Sequence, residues 1–398
     1  MQSSDPRNFF ETDAEQATRK RRAAKAGNKY GNPIQLKSKI LAAVVDPRSP
    51  SSAVLVAESA GAVRRVSLDD DGDVKTVYRG PTSPVCSLAV GGPGNRTLFA
   101  GSWDKCVWSW DLATKVAGRK FIGHSDFVKA LVCAKVGGKD CLISGGADKK
   151  IIVWDIATGA RLHTLKDDIV NMMSLQDLVV DHASSSEDEI CLVSASSDPH
   201  IRRWKIRLDG WEQVVEDAPD APGTERRTVL EHETTIYKLV FDYDSADVDL
   251  WTSSGDGTTK CLSRLRGFTA DDTYDHGGHV RAVAVTGQWI ITGGRDEDLK
   301  FWDRALGKLH CCLQGHFDEI TDLVVLEASK GTPSRVCSVS IDGTVRTWPL
   351  DKAGLDALVE EQNKPAQVVE EEEAETGNAG LLSVDEEAEL AALMEDDE

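Results

Sequence analysis

The chain of 398 residues lacks several features that would place it in a well-known functional class. It has no run of eighteen or more apolar residues, so no membrane-spanning helix is expected. Its first residues, Met1-Gln2-Ser3-Ser4-Asp5-Pro6, are polar and lack the apolar stretch of a signal peptide. Nine cysteines show no CxxC spacing and no zinc-ligand cluster, which removes a disulfide framework and a zinc module. Cys133, Cys141, Cys191, Cys261 and Cys337 fall in apolar strand-like runs, where a reduced thiol behaves as a small hydrophobe. A reducing compartment, cytoplasm or nucleus, is the expected setting. No phosphate-cradling glycine loop stands between a strand and a helix; Gly91-Gly92-Pro93-Gly94 reads as a hairpin. Asp69-Asp70-Asp71-Gly72-Asp73 lacks the downstream glutamate of a calcium loop and reads as a solvated turn. No cofactor and no metal are expected.

Aromatic residues are also scarce, at 6%, yet ten of them are tryptophan. Five of those ten recur in one pattern. An aspartate in a Gly/Ser-rich turn is followed six positions later by a bulky apolar residue in Asp104/Trp110, Asp148/Trp154, Asp198/Trp204, Asp256/Leu262, Asp296/Trp302 and Asp342/Trp348. Units spaced forty to fifty residues apart are supersecondary repeats that bury their apolar faces by stacking on neighbours. Between Pro33 and Lys352, short strand-like segments alternate with turn signals about every ten residues, an all-β rhythm. The longer period selects a propeller with four strands per blade. Six blades carry the Asp/apolar pair. A seventh, degenerate blade precedes them at 40–45, 54–57, 63–68 and 74–78. The last unit ends at Pro349-Leu350 without an outer strand, and Ile34-Gln35-Leu36 is predicted to supply it and close the ring.

Gly123-His124, Asp148 and Trp154-Asp155 together resemble a WD40 repeat, and Gly315-His316, Asp342 and Trp348 are similar. Trp110-Asp111 and Trp302-Asp303 keep the family's dipeptide; Trp204-Lys205, Trp348-Pro349 and Leu262-Ser263 depart from it. The resemblance covers about 320 residues. It implies a seven-bladed WD40-like propeller over residues 33–352, with a basic, largely disordered tail at 1–32 and an acidic tail at 353–398.

His124, His232, His276 and His316, with Ser144, Ser194, Thr252, Thr292 and Ser338 and the turn aspartates, have the composition of hydrolase triads. Their repetition in blade after blade argues for structure, since catalysis needs one site. The resemblance implies a buried network in which Asp accepts from His and from turn amides, and Ser/Thr links His to Trp. His124, Ser144, Asp148 and Trp154, and likewise His316, Ser338, Asp342 and Trp348, are therefore assigned structural roles. No catalytic residue is assigned and no enzymatic activity is expected.

In WD40-like blades the residues flanking the start of the inner strand, and the one before the turn Asp, face the wide side of the ring. By this transfer Trp103, Phe127, Lys129, Tyr237, Arg281 and Arg295 form an aromatic and basic ring at the channel mouth, and blade 4 contributes Ile169, Asn171 and Ser197. Interface hot spots are enriched in Trp, Tyr and Arg. Arg19-Lys20-Arg21-Arg22 reads as an import signal or a nucleic-acid arm. Residues 359–398 hold fifteen acidic residues against one lysine, −14 of the net −20, which argues against nucleic-acid binding by the whole chain. Ser383-Val384-Asp385-Glu386 is a capping box opening a short helix near 383–394, with Leu390, Leu393 and Met394 on one face as a second docking element. The expected function is a scaffold that holds protein partners in a multi-subunit, nuclear or ribonucleoprotein assembly, with nucleic acid reached only indirectly or through the basic tail. The alternative is a substrate receptor of a cullin–RING ubiquitin ligase, whose Trp-Asp-x-Arg docking motif survives only in part in Trp204-Lys205-Ile206-Arg207.

Overall fold

In the computed structural model, which describes residues 12–69, 74–218, 221–329 and 333–364, seven antiparallel blade sheets follow one another along the chain, and a separate two-stranded sheet of Glu216–Ala218 and Ala221–Arg226 lies within the span of the fourth. Blade 1 spans 40–79, blade 2 spans 85–122, blade 3 spans 128–165 and blade 4 spans 175–230. Blades 5, 6 and 7 span 236–275, 280–314 and 320–349. Each is a four-stranded meander, except that blade 4 takes a fifth short strand, Val229–Leu230, on its third strand. The predicted closure is present. Ile34–Gln35 (β1) pairs antiparallel with Thr344–Pro349, Ile34 opposite Val345 and Gln35 opposite Thr344, so blade 7 is built from both ends of the propeller. Closure of this kind pairs the otherwise open outer edge of Thr344–Pro349.

The core is divided among the seams. Seven apolar clusters lie one per blade-to-blade contact, for instance Phe99, Val107 and Phe121 of blade 2 against Val128, Leu142, Ile152 and Trp154 of blade 3. The repeated indoles occupy these seams. Trp110, Trp204 and Trp348 are almost wholly buried, each in the cluster shared with the preceding blade. Where Leu262 replaces tryptophan, Phe241 and Phe268 join it in the seam between blades 4 and 5. Interiors are close-packed, so a smaller third-strand residue needs such filling from elsewhere.

Among the described residues, two α-helices flank the ring. Asp13–Lys25 (α1) lies within the stretch expected to be a disordered tail. It opens with a capping box: Thr12 Oγ1 accepts from the Glu15 amide at 3.3 Å, and the Thr12 amide donates to Glu15 Oε2 at 2.8 Å. Lys352–Asn363 (α2) lies where the acidic tail was expected to begin; it buries Leu355 in the seam between blades 6 and 7. Among the described residues, one compact unit reaches to Gln362 and includes both the ring and α1. The helix expected near 383–394, with Leu390, Leu393 and Met394, lies outside the described residues.

Candidate partner-binding face

The His, Ser/Thr and Asp residues meet as expected, in four blades. In blade 3, His124 Nδ1 stands 2.9 Å from Asp148 Oδ1 and Nε2 stands 2.8 Å from Ser144 Oγ, which accepts from Trp154 Nε1 at 2.9 Å. Blade 7 repeats this with His316, Asp342, Ser338 and Trp348 at 3.0, 2.7 and 2.8 Å. Blade 6 has His276, Asp296, Thr292 and Trp302, and blade 5 has His232, Asp256 and Thr252 with no indole. The order Asp–His–hydroxyl matches a hydrolase triad, but in blades 3, 6 and 7 the hydroxyl is wedged between imidazole and indole, and in blade 5 it donates to the Lys260 carbonyl. Ser144, Thr252, Thr292 and Ser338 are all fully buried. A nucleophile needs open approach and an oxyanion pocket, and these oxygens have no approach. They are fasteners. Burial opposes ionisation of Asp148, Asp256, Asp296 and Asp342, yet hydrogen bonds from the paired imidazoles hold every one of them below the ordinary carboxylate range.

The face bearing these aspartate turns is organised by two recurrent backbone devices. The first is a hydrogen bond from the residue before each turn Asp to the residue before each inner strand. Trp103 bonds Pro84, Ala147 bonds Phe127, Ser197 bonds Ser174, Gly255 bonds Thr235, Arg295 bonds His279 and Ile341 bonds Glu319. This register corrects blade 4. Its inner strand begins at Leu175, so Ser174 and Gln176 take the positions assigned to Ile169 and Asn171 from the sequence, while Ser197 stands as expected. The second device is a β-bulge after the first residue of every inner strand, at 40/42, 85/87, 128/130, 175/177, 236/238, 280/282 and 320/322. A bulge leaves one residue unpaired and re-aims its side chain. The seven bulged residues are Leu41, Cys86, Lys129, Gln176, Tyr237, Arg281 and Thr321, and all line a cavity of about 460 Å³ at the centre of the ring.

Three of the six residues selected from sequence, Lys129, Tyr237 and Arg281, belong to this bulge tier, and Trp103 lines the same cavity. Phe127 stacks on Trp103, centroids 4.8 Å apart and planes 13° apart, with both rings exposed by about two-fifths. Arg281 lies 4.7 Å over the Tyr237 ring, and Lys129 Nζ donates to Gln176 Oε1 at 2.8 Å. One residue deeper, Lys238 Nζ stands 3.0 Å from Asp322 Oδ1. Burial works against the Lys238 charge, but Asp322 and Asp177 overcome it and its pKa is raised. Lys129 goes the other way: burial, then repulsion from Arg281, lowers its pKa. Burial pushes the Cys86 thiol up to about 11, so it is protonated at neutral pH.

Arg295 is separated from the other five. It lines a cleft with Glu15, Thr18, Arg19 and Arg22 of α1. The helix is held there by Glu297, whose buried carboxylate receives Arg21 at 2.9 Å, Arg22 at 3.3 Å and Lys25 at 3.3 Å. Lys25 also reaches Asp298 and Arg22 reaches Asp318, at 2.8 and 2.7 Å. The hydrogen bond to Glu297 raises the Arg21 pKa. Glu297 has a left-handed backbone, φ +73°, at the turn position where blades 5 and 7 use Gly257 and Gly343. Lys105 and Lys149 are also left-handed at this position in blades 2 and 3, so the conformation belongs to the turn itself. Of the basic run read as an import signal, Arg21 and Arg22 are thus engaged on the ring. Sequence reasoning missed this helix, although Thr12-Asp13-Ala14-Glu15 carries the same capping signature recognised near the C-terminus.

Comparison with known proteins agrees with this architecture. A family model described as the tRNA methyltransferase TRM82 WD40 domain matches residues 119–207, and one for the WD domain, G-beta repeat, matches 72–111 and 271–303. An uncharacterized WD repeat-containing protein of Schizosaccharomyces pombe is 27% identical over 361 residues, 88% of this chain and 90% of its own length. Nuclear distribution protein PAC1 of Arthroderma otae is 26% identical over 291 residues, 71% of this chain and 53% of the relative, so the chain spans about half of that protein. The solved WD40 β-propeller domain of Doa1 superposes with a TM-score of 0.60 over 81% of this chain and 96% of that domain; at 20% identity it shows the fold alone.

Proposed function

From a chain of WD40 repeats closed into a seven-bladed propeller, we propose a non-catalytic scaffold that docks protein partners on its aspartate-turn face, centred on Trp103 and Phe127. One observation carries the reading: the two rings stack on each other at the channel mouth with about two-fifths of each still in water. Large aromatic side chains exposed beside a cavity are what partner hot spots are made of. The partners are proposed to belong to a nuclear or ribonucleoprotein assembly. Support comes from the match of residues 119–207, the stretch holding Phe127 and Lys129, to a WD40 domain described as that of a tRNA methyltransferase. The ubiquitin-ligase reading has less support, because Arg207 of the partial docking motif is already turned to Glu189 and Glu212.

The test is affinity purification of the tagged full chain, unmodified and as the Trp103→Ala/Phe127→Ala variant. RNA-processing or assembly factors recovered on the unmodified chain and lost on the variant support the proposal. A cullin adaptor among the recovered proteins, or recovery unchanged by the variant, would overturn it.

A further inference from the structure

The bulge tier holds two cations and no carboxylate. Lys129 comes from blade 3 and Arg281 from blade 6, and among the described residues neither makes an ion pair. Lys129 has only the Gln176 amide oxygen, a neutral acceptor, and Arg281 has only the face of Tyr237. Several other partly buried cations are matched by carboxylates, Lys238 by Asp322, Arg264 by Asp181 and Lys25 by Glu297 and Asp298, whereas the buried Arg346 donates to Asn28 Oδ1 and the Tyr30 carbonyl. Buried charge is ordinarily paired, since desolvation of an unpaired ion is costly. The mouth also differs in chemistry from the tier beneath it, where Lys238 lies within reach of both Asp322 and Asp177 and positive charge is already answered.

We propose that the bulge tier is a receptor for one carboxylate side chain of a partner peptide, an aspartate or glutamate held between Lys129 and Arg281, with the neighbouring peptide residues against the Trp103–Phe127 stack. The proposal rests on the docking face proposed above and names what that face recognises. A carboxylate suits the site for three reasons. Arg281 offers a planar fork of N–H donors, and Lys129 offers a second charge from across the channel. The cavity, about 460 Å³, admits a side chain together with part of its backbone. Glu319 at the wall offsets one of the two cations, so a single carboxylate neutralises what remains while a dianionic phosphate exceeds it. The same pairing of a bound carboxylate with Lys129 offsets the repulsion that Arg281 now exerts on it.

Fluorescence polarisation on the full chain tests this with three labelled peptides differing at one position: Gly-Phe-Glu-Phe-Gly, the same with Gln, and the same with phosphoserine. The Glu peptide is expected to bind at least about tenfold more tightly than the Gln peptide, the discrimination typical of a lost charge-assisted hydrogen bond. That preference shrinks as salt rises from 50 to 500 mM. The Lys129→Gln/Arg281→Gln variant, whose melting temperature is checked for an intact fold, is expected to bind Glu and Gln peptides equally. Each single variant is expected to keep part of the preference. Equal binding of Glu and Gln peptides by the unmodified chain, no binding of either, or an undiminished preference in the double variant would overturn the proposal, and a tenfold preference for phosphoserine would overturn the carboxylate assignment. Failure here is distinguishable from failure of the docking face. If partner recovery depends on Trp103 and Phe127 but not on Lys129 and Arg281, the face stands and the carboxylate site falls.

Discussion

Blades 4 and 7 both place an arginine four residues after the turn aspartate, and the two arginines do different things. Arg202 and Arg346 are both buried and sit on equivalent third strands. In blade 7, Asp342 is satisfied by His316 and by the amides of Phe317 and Thr344. Arg346 is then free to turn outward, where it donates to Asn28 Oδ1 at 2.8 Å and to the Tyr30 carbonyl, fastening the segment that leads into β1. Blade 4 has no histidine in this network. Its loop reads Asn171-Met172-Met173, Met172 is buried, and only the Met173 amide reaches Asp198 from there. Arg202 turns inward instead, 3.0 Å from Asp198 and 2.9 Å from Asp167. The lesson is that the turn carboxylate must be satisfied, and whichever donor is nearest takes the task. A buried network is favourable when every member is paired, whatever the residue types.

Arg202→Met keeps much of the volume but strands two carboxylates that are almost out of water; unfolding in urea should show a loss of about 3–5 kcal/mol. Arg346→Met should cost less, about 1–3 kcal/mol, because Asp342 keeps its histidine and only hydrogen bonds to the entering segment are lost. Hydrogen exchange would sharpen the contrast: faster exchange at 28–36 in the Arg346 variant, and at 167–173 in the Arg202 variant. If both variants loosened the same segment, the division of labour described here would be wrong.

Acid should separate the two blades more gently. Burial holds the His316 imidazole below its usual value of 6.5, against the pull of Asp342. Its folded pKa being depressed, the contribution of the neutral ring is fully present above about pH 6.5 and is lost as pH falls below it. Asp198 and Asp342 are both held under 3.8, so their contributions persist until about pH 4 and are lost below it. Stability should therefore fall with a slope of at most about 1.4 kcal/mol per pH unit from the single imidazole. His200 in blade 4 is also lowered by burial and adds the same sign, so a His316→Gln variant is the control. Its chemical-denaturation curve should lose the step that begins near pH 6.5. An unchanged pH profile would remove His316 from the account. The smallest effect is expected at the mouth: Trp103→Ala, exposed and outside every seam cluster, should shift stability by about 0.5 kcal/mol or less, while partner recovery falls.

Much of this was legible in the residues. The Asp/Trp spacing located six blades, the alternating run at 40–78 located the seventh, and the missing outer strand after Leu350 pointed to Ile34-Gln35 as its replacement. The His–Ser/Thr–Asp fasteners were readable because they repeat. Blade 4 misled for a definite reason. The stretch 167–173 has apolar residues where an inner strand would start, but Asp167 is drawn to Arg202 and the segment turns before the strand begins at Leu175. The bulges left no sequence signal, since their residue types run from leucine to arginine. The charge count at the N-terminus showed the basic run, but not that Glu297 would receive it.

The order of residues alone determined the blade count, the seam tryptophans and the strand that closes the ring, because these follow from strand alternation, the six-residue Asp/Trp spacing and its recurrence along the chain, all of which are written in the sequence itself. Tertiary structure alone decided where Arg202 and Arg346 turn, that Gln176 takes the place expected of Asn171 beside Lys129, Tyr237 and Arg281, and that α1 lies on the face of blades 6 and 7. Those outcomes depend on partners such as Arg21 and Glu297, 276 positions apart, whose meeting no local period encodes. Only closure of the ring brings such groups close enough for charge and burial to choose between them.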